Sequence, residues 1–516
     1  MNRRRRICRS AECLLAAAVL LACSLAVGSD TGAATGAAAE PGTVVVTTAQ
    51  LRLAFSEHHP GPISLTACVP TCESPRARTI EFIAAREGSG AAGGIEPLPP
   101  PLGDTIAAPP PVRVATAIEL REAGTHVDVY LRVPDDASGP RLEQRWRIPR
   151  EGYRLSWQTN GKVAGTGLRL ATGDAFQPAP MPGFSHAYAA VRAFTLKDGE
   201  VHKGTADPAP AAIGPGEWAG VRSRFWALAA SPATPAGAEL GPERQAVLRV
   251  PGAAGMTADL YAGPVARDQL FAADDGLDAL LYADLWTWLR WLSRGLRVLM
   301  DGLMSVVGNA GVAILLLSVV VRVLMSPVTA VAERWQADVN RTQARLEPLL
   351  AEARANYTGE ARHERTLAAY RSLGVSPWYT LKSLAGYLIQ IPVFVAAFTM
   401  LGENFALAQT PFLWIDDLSR PDALLPLPLT LPFFGSDLNL LPFLMTGLTL
   451  LAALLHEDSD LTPALLRAQR RRLYGLAGLF FLLFYTFPAG MVLYWTMNNL
   501  LHLVTAHWRN AIRPDV

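Results

Sequence analysis

Several features that define common protein classes are scarce in this sequence of 516 residues. All five cysteines lie before residue 73, which excludes a scaffold held together by disulfides. The formal net charge of +1 provides no overall attraction to nucleic acid or to an anionic surface. No Gly-x-Ser-x-Gly, His-Glu-x-x-His or P-loop motif is present, so the sequence predicts neither an enzyme nor a cofactor.

Cys68 and Cys72 are the two cysteines outside the N-terminal segment. In an exported domain they would meet an oxidising compartment, where a local disulfide and a pair of free thiols are both open interpretations. His58 and His59 lie nearby, but adjacent histidines at this spacing match no standard structural zinc site. We therefore predict no metal centre.

The N-terminus has the order of an export signal. Four arginines at residues 3–6 precede an uncharged stretch at residues 13–27, which is a basic segment followed by an apolar one. Cleavage, a lipoprotein-type modification and retention as a membrane anchor all remain open. We favour a retained anchor over residues 1–28, followed by a linker at residues 29–42.

Residues 43–280 have the pattern of antiparallel β-structure. Short runs of alternating apolar and polar residues, such as 43–48 and 126–133, are separated by clusters of proline and glycine. This period of two is typical of strands with one buried face. We predict one β-sandwich-like domain outside the membrane, with linkers rich in Ala, Gly and Pro at its edges.

Residues 281–307 predict an amphipathic helix. Trp286, Trp288 and Trp291 recur with leucines at helical spacing, and arginines are interleaved with them. A helix rich in Trp and Arg is typical of the headgroup interface of a bilayer. A helix packed on the β domain is the alternative interpretation.

The final region, residues 308–516, contains long apolar runs. Residues 310–332, 383–402 and 438–455 are each long enough to cross a hydrocarbon core of about 30 Å. The uncharged stretch after residue 472 is too long for one span and contains Pro488. We predict that it turns back and that the core has five transmembrane helices, the last two at 473–487 and 490–507.

The loops between these spans differ in charge. Residues 333–382 contain eight Lys or Arg, and residues 470–472 are three arginines, whereas residues 403–437 contain one basic and five acidic residues. Because basic loops mark the cytoplasmic side, the β domain is predicted outside and the C-terminus in the cytoplasm. Helix-forming residues on both sides of a turn at 356–359 further predict a cytoplasmic helical hairpin within 333–382.

Arg322 is the one formally charged side chain within the five predicted spans. A cation in the middle of a span costs several kcal/mol unless it is solvated or paired. Snorkelling of the guanidinium to the cytoplasmic headgroups is one explanation. The five spans contain no Asp or Glu, which excludes an ion pair inside them and leaves a ligand as the other source of counter-charge.

Polar residues accompany this arginine at helical spacing on three predicted spans. Each such stripe alone is typical of hydrogen bonds between helices. Three stripes together with a cation predict a shared, wet cavity. The stripes are Ser318, Arg322, Ser326 and Thr329; Ser383, Tyr387 and Gln390; and Tyr494, Asn498, His502 and Thr505.

Several segments resemble the YidC family of membrane protein insertases. Residues 308–329 are similar to the first core span of the family and place Arg322 on its groove arginine. Residues 216–232 and 261–264 resemble the end of the periplasmic domain of Gram-negative members, whereas residues 377–390 depart from the family pattern. Further matches follow in order at Gln390-Ile-Pro-Val-Phe394, Pro411-Phe-Leu-Trp-Ile-Asp-Asp-Leu418 and Phe487-Pro-Ala-Gly-Met-Val-Leu-Tyr-Trp-Thr-Met-Asn498.

The resemblance implies an insertase of the bacterial inner membrane that folds and inserts nascent membrane proteins without catalytic chemistry. Arg322 would attract acidic residues of the substrate in a hydrophilic groove, and the β domain would be a periplasmic supersandwich. The implied partners are nascent membrane proteins, the lipid bilayer, the Sec translocon and the ribosome or signal-recognition machinery, with no nucleic-acid binding beyond ribosome contact. The implied groove residues besides Arg322 are Ser318, Ser326, Gln390, Tyr494, Trp495 and Asn498.

A second hypothesis is a secondary transporter or another anion-binding membrane protein in which Arg322 binds an anionic solute. Five spans without an inverted repeat, and without an acidic residue for ion coupling, argue against a transporter.

Overall fold

The computed structural model describes residues 42–57, 59, 61–83, 94–98, 117–132, 143–160, 167–203, 211–241, 245–250, 255–376, 378–379, 381–455 and 463–512. The predicted anchor at 1–28 and nearly all of the linker at 29–42 lie outside these residues. Within them, a β-rich region is followed by a helical region. This order of an antiparallel β domain and a helical C-terminal region confirms the coarse prediction from the sequence.

The β-rich region contains three antiparallel sheets. Their strand orders are β1-β2-β3-β4, β13-β16-β17-β10-β5, and β12-β11-β14-β15-β18-β9-β8-β7-β6. The described strands are β1 Thr43–Thr47, β2 Leu51–Ser56, β3 Pro62–Val69, β4 Arg78–Ile83, β5 Gly94–Leu98, β6 Ala117–Glu122, β7 His126–Arg132, β8 Glu143–Pro149, β9 Arg154–Asn160, β10 Gly167–Ala171, β11 Arg192–Lys197, β12 Glu200–Lys203, β13 Ala211–Ile213, β14 Trp218–Arg222, β15 Trp226–Pro232, β16 Ala236–Gly241, β17 Gln245–Arg249 and β18 Gly255–Pro264.

Alternating burial explains why these segments form sheets. Leu51, Leu53 and Phe55 in β2 are fully buried, while the residues between them are partly or fully exposed. The period of two turns every second side chain toward a shared core, whose largest members include Trp146 and Trp157. Beside this core, Cys68 of β3 and Cys72 form a disulfide.

The helical region begins after β18. Its α-helices are α1 Arg267–Ala273, α2 Thr287–Val307, α3 Ala310–Asn356, α4 Gly359–Ser372, α5 Leu381–Gly402, α6 Leu440–Leu455, α7 Pro463–Phe484 and α8 Ala489–Ile512, and a hairpin of β19 Leu425–Leu431 and β20 Gly435–Leu438 lies between α5 and α6. Among the described residues, α3 is the one helix whose length and apolar composition are both sufficient to cross a membrane. Residues 390–402 of α5 and all of α6 form shorter apolar helices. The number of five spans therefore stays a prediction.

Helix α3 is continuous over 47 residues. Its start is capped by Asn309, whose side-chain oxygen accepts a hydrogen bond from the Val312 amide at 3.1 Å. After α3 ends at Asn356, α4 returns and packs against it. The boundary between the first predicted span and the predicted cytoplasmic hairpin, at residues 332 and 333, thus falls inside one helix.

The helices pack tightly at one end of the region and loosely at the other. Helix α3 contacts α2, α4, α5 and α8, and α8 also contacts α6. Most buried residues of α3 lie within 310–321, and those of α5 lie within 396–402. By contrast, residues 322–332 of α3 are partly or fully exposed, as are Leu388 and Ile391 of α5. The helices therefore pack closely near the start of α3, which we call the closed end, and less closely beyond Arg322, which we call the open end.

Candidate functional site

Ser318 joins α3 to α8 at the boundary between the closed and open ends. Its side chain is fully buried, and its hydroxyl lies 3.0 Å from the Ile314 carbonyl of its own helix and 3.3 Å from the Tyr494 carbonyl of α8. The Asn498 amide donates to the same Tyr494 carbonyl at 2.9 Å. Three residues of the predicted stripes therefore meet at one point between two helices.

Arg322 lies one turn further along α3. Its side chain is partly buried, and its Nη2 donates to the Thr505 hydroxyl of α8 at 3.4 Å. Because Ser318 meets an early residue of α8 and Arg322 meets a late one, the two helices run in the same direction. Thr505 is eleven residues after Tyr494, about 16 Å along a helix, so the arginine side chain extends toward the open end.

We define the polar seam as Ser318, Arg322, Tyr494, Asn498 and Thr505. The seam combines hydroxyl, amide and guanidinium groups along the contact between α3 and α8. A guanidinium has five N–H donors and no acceptor, so it is suited to bind carboxylates. The seam therefore offers hydrogen-bonding groups and one cation, a combination that suits a polar or acidic ligand.

The remaining predicted groove residues lie around the seam. Ser326 is exposed one turn beyond Arg322, and its hydroxyl donates to the Val323 carbonyl at 2.8 Å. Gln390 of α5 is exposed. Trp495 instead packs in an aromatic cluster, with its ring centroid 4.8 Å from that of Phe394 and 5.6 Å from that of Phe484. The side chains of Ser383 and Tyr387 are outside the described set.

The closed end is sealed by the loop between α5 and α6. The Phe412 ring lies directly over Gly311 of α3, where an added Cβ would come within 2.1 Å of a ring carbon. The Gly490 amide at the start of α8 donates to the Leu418 carbonyl at 2.8 Å. Phe412 and Leu418 are both buried. The loop thus blocks the continuation of the polar seam past Ser318.

Arg224, in the turn between β14 and β15, attaches the β-rich region to this end of the helices. It is buried, its Nε donates to the Gly402 carbonyl, and its Nη1 donates to the Ser419 carbonyl at 2.7 Å. The guanidinium also lies 4.6 Å from the ring centre of Tyr188 and 4.5 Å from that of Phe225. Burial lowers the pKa of Arg224 to about 10, which leaves it protonated at neutral pH.

Arg78 of β4 makes a similar contact with residues that follow Gly402 in the chain. Its Nη1 donates to the carbonyls of Phe405 at 2.7 Å and Ala408 at 3.0 Å. The two arginines therefore add charge-assisted hydrogen bonds to carbonyl groups at the end of α5 and in the segment that follows it. Sequence reasoning missed both residues, because an arginine next to a strand carries no signal of being buried against residues almost 200 or more positions away.

Comparisons with known proteins match mainly the helical region. Residues 302–514 match the family described as "60Kd inner membrane protein". Three relatives named "Membrane protein insertase YidC" are similar to the chain. The protein of Syntrophobacter fumaroxidans is 30% identical over 48% of this chain and 43% of its own length, that of Cellvibrio japonicus 32% over 51% and 43%, and that of Syntrophus aciditrophicus 26% over 63% and 58%.

The family that matches residues 302–514 is a family of inner membrane proteins. Residues 302–514 are thus similar to a family of inner membrane proteins and to relatives named as YidC insertases. The chain spans between about two fifths and three fifths of the length of these relatives.

Two solved structures have weaker similarity. An active YidC insertase with its first transmembrane domain resolved is 15% identical, with 91% of this chain and 93% of that chain covered and a TM-score of 0.35. A GH36 α-galactosidase of Geobacillus stearothermophilus is 9% identical over 45% and 41%, with a TM-score of 0.25. At these TM-scores, neither likeness supports a conclusion about fold or function.

Proposed function

We propose that this chain is a membrane protein insertase and chaperone of the bacterial inner membrane. The observation that carries the proposal is the polar seam, which places a guanidinium between two apolar helices that are sealed at one end and open at the other. The match of residues 302–514 to a family of inner membrane proteins supports it. In this proposal, α3, α5, α6, α7 and α8 provide the five spans.

The seam would act by lowering the cost of moving a polar segment into the membrane. Unpaired polar groups are expensive in hydrocarbon, so the tail of a membrane protein is the main barrier to its insertion. Arg322 attracts acidic residues of that tail, Asn498 and Thr505 offer hydrogen bonds in place of water, and the buried Ser318 holds α3 against α8 at the inner end of the seam. No covalent step and no nucleotide are needed, because the apolar part of the substrate then partitions into lipid.

The proposed orientation follows from the charges of the loops. The acidic loop between α5 and α6 and the β-rich region lie in the periplasm, and the helical hairpin of α3 and α4 and the C-terminus lie in the cytoplasm. The hairpin would receive chains from the ribosome or the signal-recognition machinery. Cooperation with the Sec translocon belongs to the same proposal, and Ser326 and Gln390 would contact substrate at the open end.

Insertion into proteoliposomes tests this function. The purified chain should speed the insertion of a small membrane protein with an acidic tail, measured as protease-protected product, relative to empty liposomes. Arg322→Ala should reduce insertion of that substrate, and Arg322→Lys should retain most of it, because the charge is kept. Arg334→Ala is the matched control, since Arg334 is an exposed arginine on the same helix.

Two results would contradict the proposal. Insertion no faster than in empty liposomes would reject the insertase function. Uptake of a small anionic solute that depends on Arg322, without any insertion, would favour the transporter instead. An equal loss in Arg322→Ala and Arg322→Lys would mean that the geometry of the guanidinium, rather than its charge, is required.

A further inference from the structure

A cavity of about 270 Å³ lies between the β-rich region and the helical region. Its walls come from β11, β12 and the end of β14, from residues 283–285 before α2, and from Thr399 and Glu403 at the end of α5. This volume is near the lower end of the roughly 300 to 1,000 Å³ that is typical of small-molecule sites. The cavity is separate from the polar seam.

The walls of the cavity carry more positive than negative charge. Four cationic side chains, those of Arg192, Lys203, Arg222 and Arg224, face two carboxylates. The carboxylates are Asp284 and Glu403, so the formal excess is two positive charges. Since a surplus of buried or half-buried charge of one sign is costly, such a cavity attracts an anion.

The hydrogen bonds within the cavity leave donors for that anion. Asp284 is shared by Arg192, at 3.3 Å, and Lys203. Both cations are nearly half exposed, so they can turn toward a ligand without unfolding their strands. In the inner wall, the Nη2 of Arg224 is buried and has no hydrogen-bond partner among the described residues.

Glu403 offsets this charge only in part. Its carboxylate lies 3.7 Å from Arg222 and accepts a hydrogen bond from the Tyr282 amide at 3.1 Å. Burial raises the pKa of Glu403, against the opposing effect of Arg222. Even with Glu403 counted as a full negative charge, the formal excess of two positive charges persists.

The position of the cavity indicates the kind of anion. Residues 283–285 in its wall lead directly into Trp286, Trp288 and Trp291, whose exposed fractions are 73%, 52% and 68%. Exposed tryptophans beside arginines are typical of the headgroup layer of a bilayer. In the membrane placement of the proposed function, on which this step rests, the cavity opens at the level of the outer-leaflet phosphates.

We propose that the cavity binds the phosphodiester headgroup of an anionic phospholipid. Arg192 and Lys203 contact the phosphate oxygens at the mouth, Arg222 and Arg224 provide positive charge further in, and the three tryptophans lie along the acyl chains. The bound lipid thereby bridges β11, β12 and the segment before α2. This site holds the β-rich region to the membrane surface independently of substrate insertion.

Native mass spectrometry of the full chain in detergent tests the site. The protein is titrated with phosphatidylglycerol, with zwitterionic phosphatidylcholine and with inorganic phosphate. Arg192→Gln combined with Lys203→Gln should weaken phosphatidylglycerol binding about tenfold, as expected for the loss of charge-assisted hydrogen bonds. The matched control is Arg121→Gln with Arg150→Gln, two arginines that are also paired with carboxylates but lie far from the cavity on the β-rich region.

Asp284→Asn provides a test in the opposite direction. It removes the carboxylate that Arg192 and Lys203 share, so phosphatidylglycerol should bind several-fold more tightly than to the unchanged chain. This variant keeps the proposal testable if the double variant does not fold. Preferred binding of phosphatidylglycerol over phosphatidylcholine, with the stated effects of both variants, supports the proposal.

Three results would overturn it: equal binding of phosphatidylglycerol by the double variant and its control, no change in Asp284→Asn, or equal binding of the two lipids. Displacement of the lipid by an equal concentration of inorganic phosphate would show that free phosphate, not lipid, is the ligand. The lipid-binding assay requires no insertion, so a negative result in it does not contradict the proposed insertase function. Likewise, a negative result in the insertion assay does not change the interpretation of the lipid-binding assay.

Discussion

Replacing Gly311 with alanine should loosen the closed end of the polar seam, although alanine is the better helix former. Gly311 lies within α3, directly under the ring of Phe412. A Cβ at this position would lie 2.1 to 2.5 Å from three ring carbons, far closer than the 3.5 to 4.0 Å of an ordinary contact. The ring is wide and buried, so it must leave its place rather than shift slightly.

The change in local stability follows from two opposing contributions to the free energy. Alanine in place of glycine stabilises a helix interior by about 1 kcal/mol, which is an upper bound for Gly311 because it lies in the first turn of α3. Moving the Phe412 ring from its buried position toward solvent costs about 1.5 to 3 kcal/mol. The net loss of local stability is therefore about 0.5 to 2 kcal/mol, which corresponds to roughly 2- to 30-fold faster opening of the loop.

Hydrogen exchange of the purified chain measures this opening. The amides of Phe412 and Ile415, which are bonded to each other's carbonyls, and that of Gly490, bonded to Leu418, should exchange faster in Gly311→Ala. Gly302→Ala is the matched control, since Gly302 lies inside α2 and its added Cβ would meet no atom within 4 Å. Unchanged exchange in Gly311→Ala, or slower exchange as helix propensity alone predicts, would refute the argument.

Three further changes have defined outcomes. Arg224→Leu leaves two buried carbonyls unpaired and should increase hydrogen exchange in residues 402–408 by at least about tenfold, because each bond to a charged group contributes about 1.5 kcal/mol or more. Glu403→Gln should remove a pH dependence of the melting temperature. Burial raises the pKa of Glu403 above its ordinary 4.5, so the folded protein favours the protonated carboxyl. The stability contributed by this carboxyl is therefore complete below pH 4.5 and is lost as the pH rises through the raised pKa. Asp422→Ala removes a buried carboxylate that accepts from the first two amides of α6, and should destabilise that helix start by about 2 kcal/mol in thermal unfolding.

Each of these has a control with the same chemistry at an exposed position. Arg150→Leu, Glu200→Gln and Asp416→Ala change exposed residues away from the contacts in question. Equal effects in a variant and its control would contradict the corresponding prediction. A melting temperature of Glu403→Gln that still falls between pH 4.5 and pH 7 as in the unchanged chain would contradict the role of that carboxyl.

Local patterns in the sequence predicted the elements of the fold well. The alternation at residues 126–133, which contain β7, and the helical spacing of Ser318 and Arg322 depend on near neighbours in the chain, so they are visible in the sequence alone. The turn between α3 and α4 was predictable for the same reason, because Gly359 and its neighbours interrupt two runs of helix formers.

Long-range contacts were not predictable. The pairing of β9 with β18 and of β5 with β10 joins segments that are far apart in the chain, and no local pattern selects those partners. The same holds for Phe412 over Gly311, which is defined by the shapes of two distant segments. The sequence therefore predicted the site residues that share a helix, such as Ser318 and Arg322. It did not predict Arg78 and Arg224, which the β-rich region contributes to the closed end.

The length of α3 has a mechanical consequence. At 1.5 Å per residue, its 47 residues extend about 70 Å, more than twice the thickness of a hydrocarbon core. One rod therefore carries both Arg322 and the surface of the hairpin, so a force applied to the hairpin is transmitted to the guanidinium without crossing a loop. Pro327, just over one turn beyond Arg322, and Pro348 each remove one backbone hydrogen bond, so the helix bends most easily at these two positions.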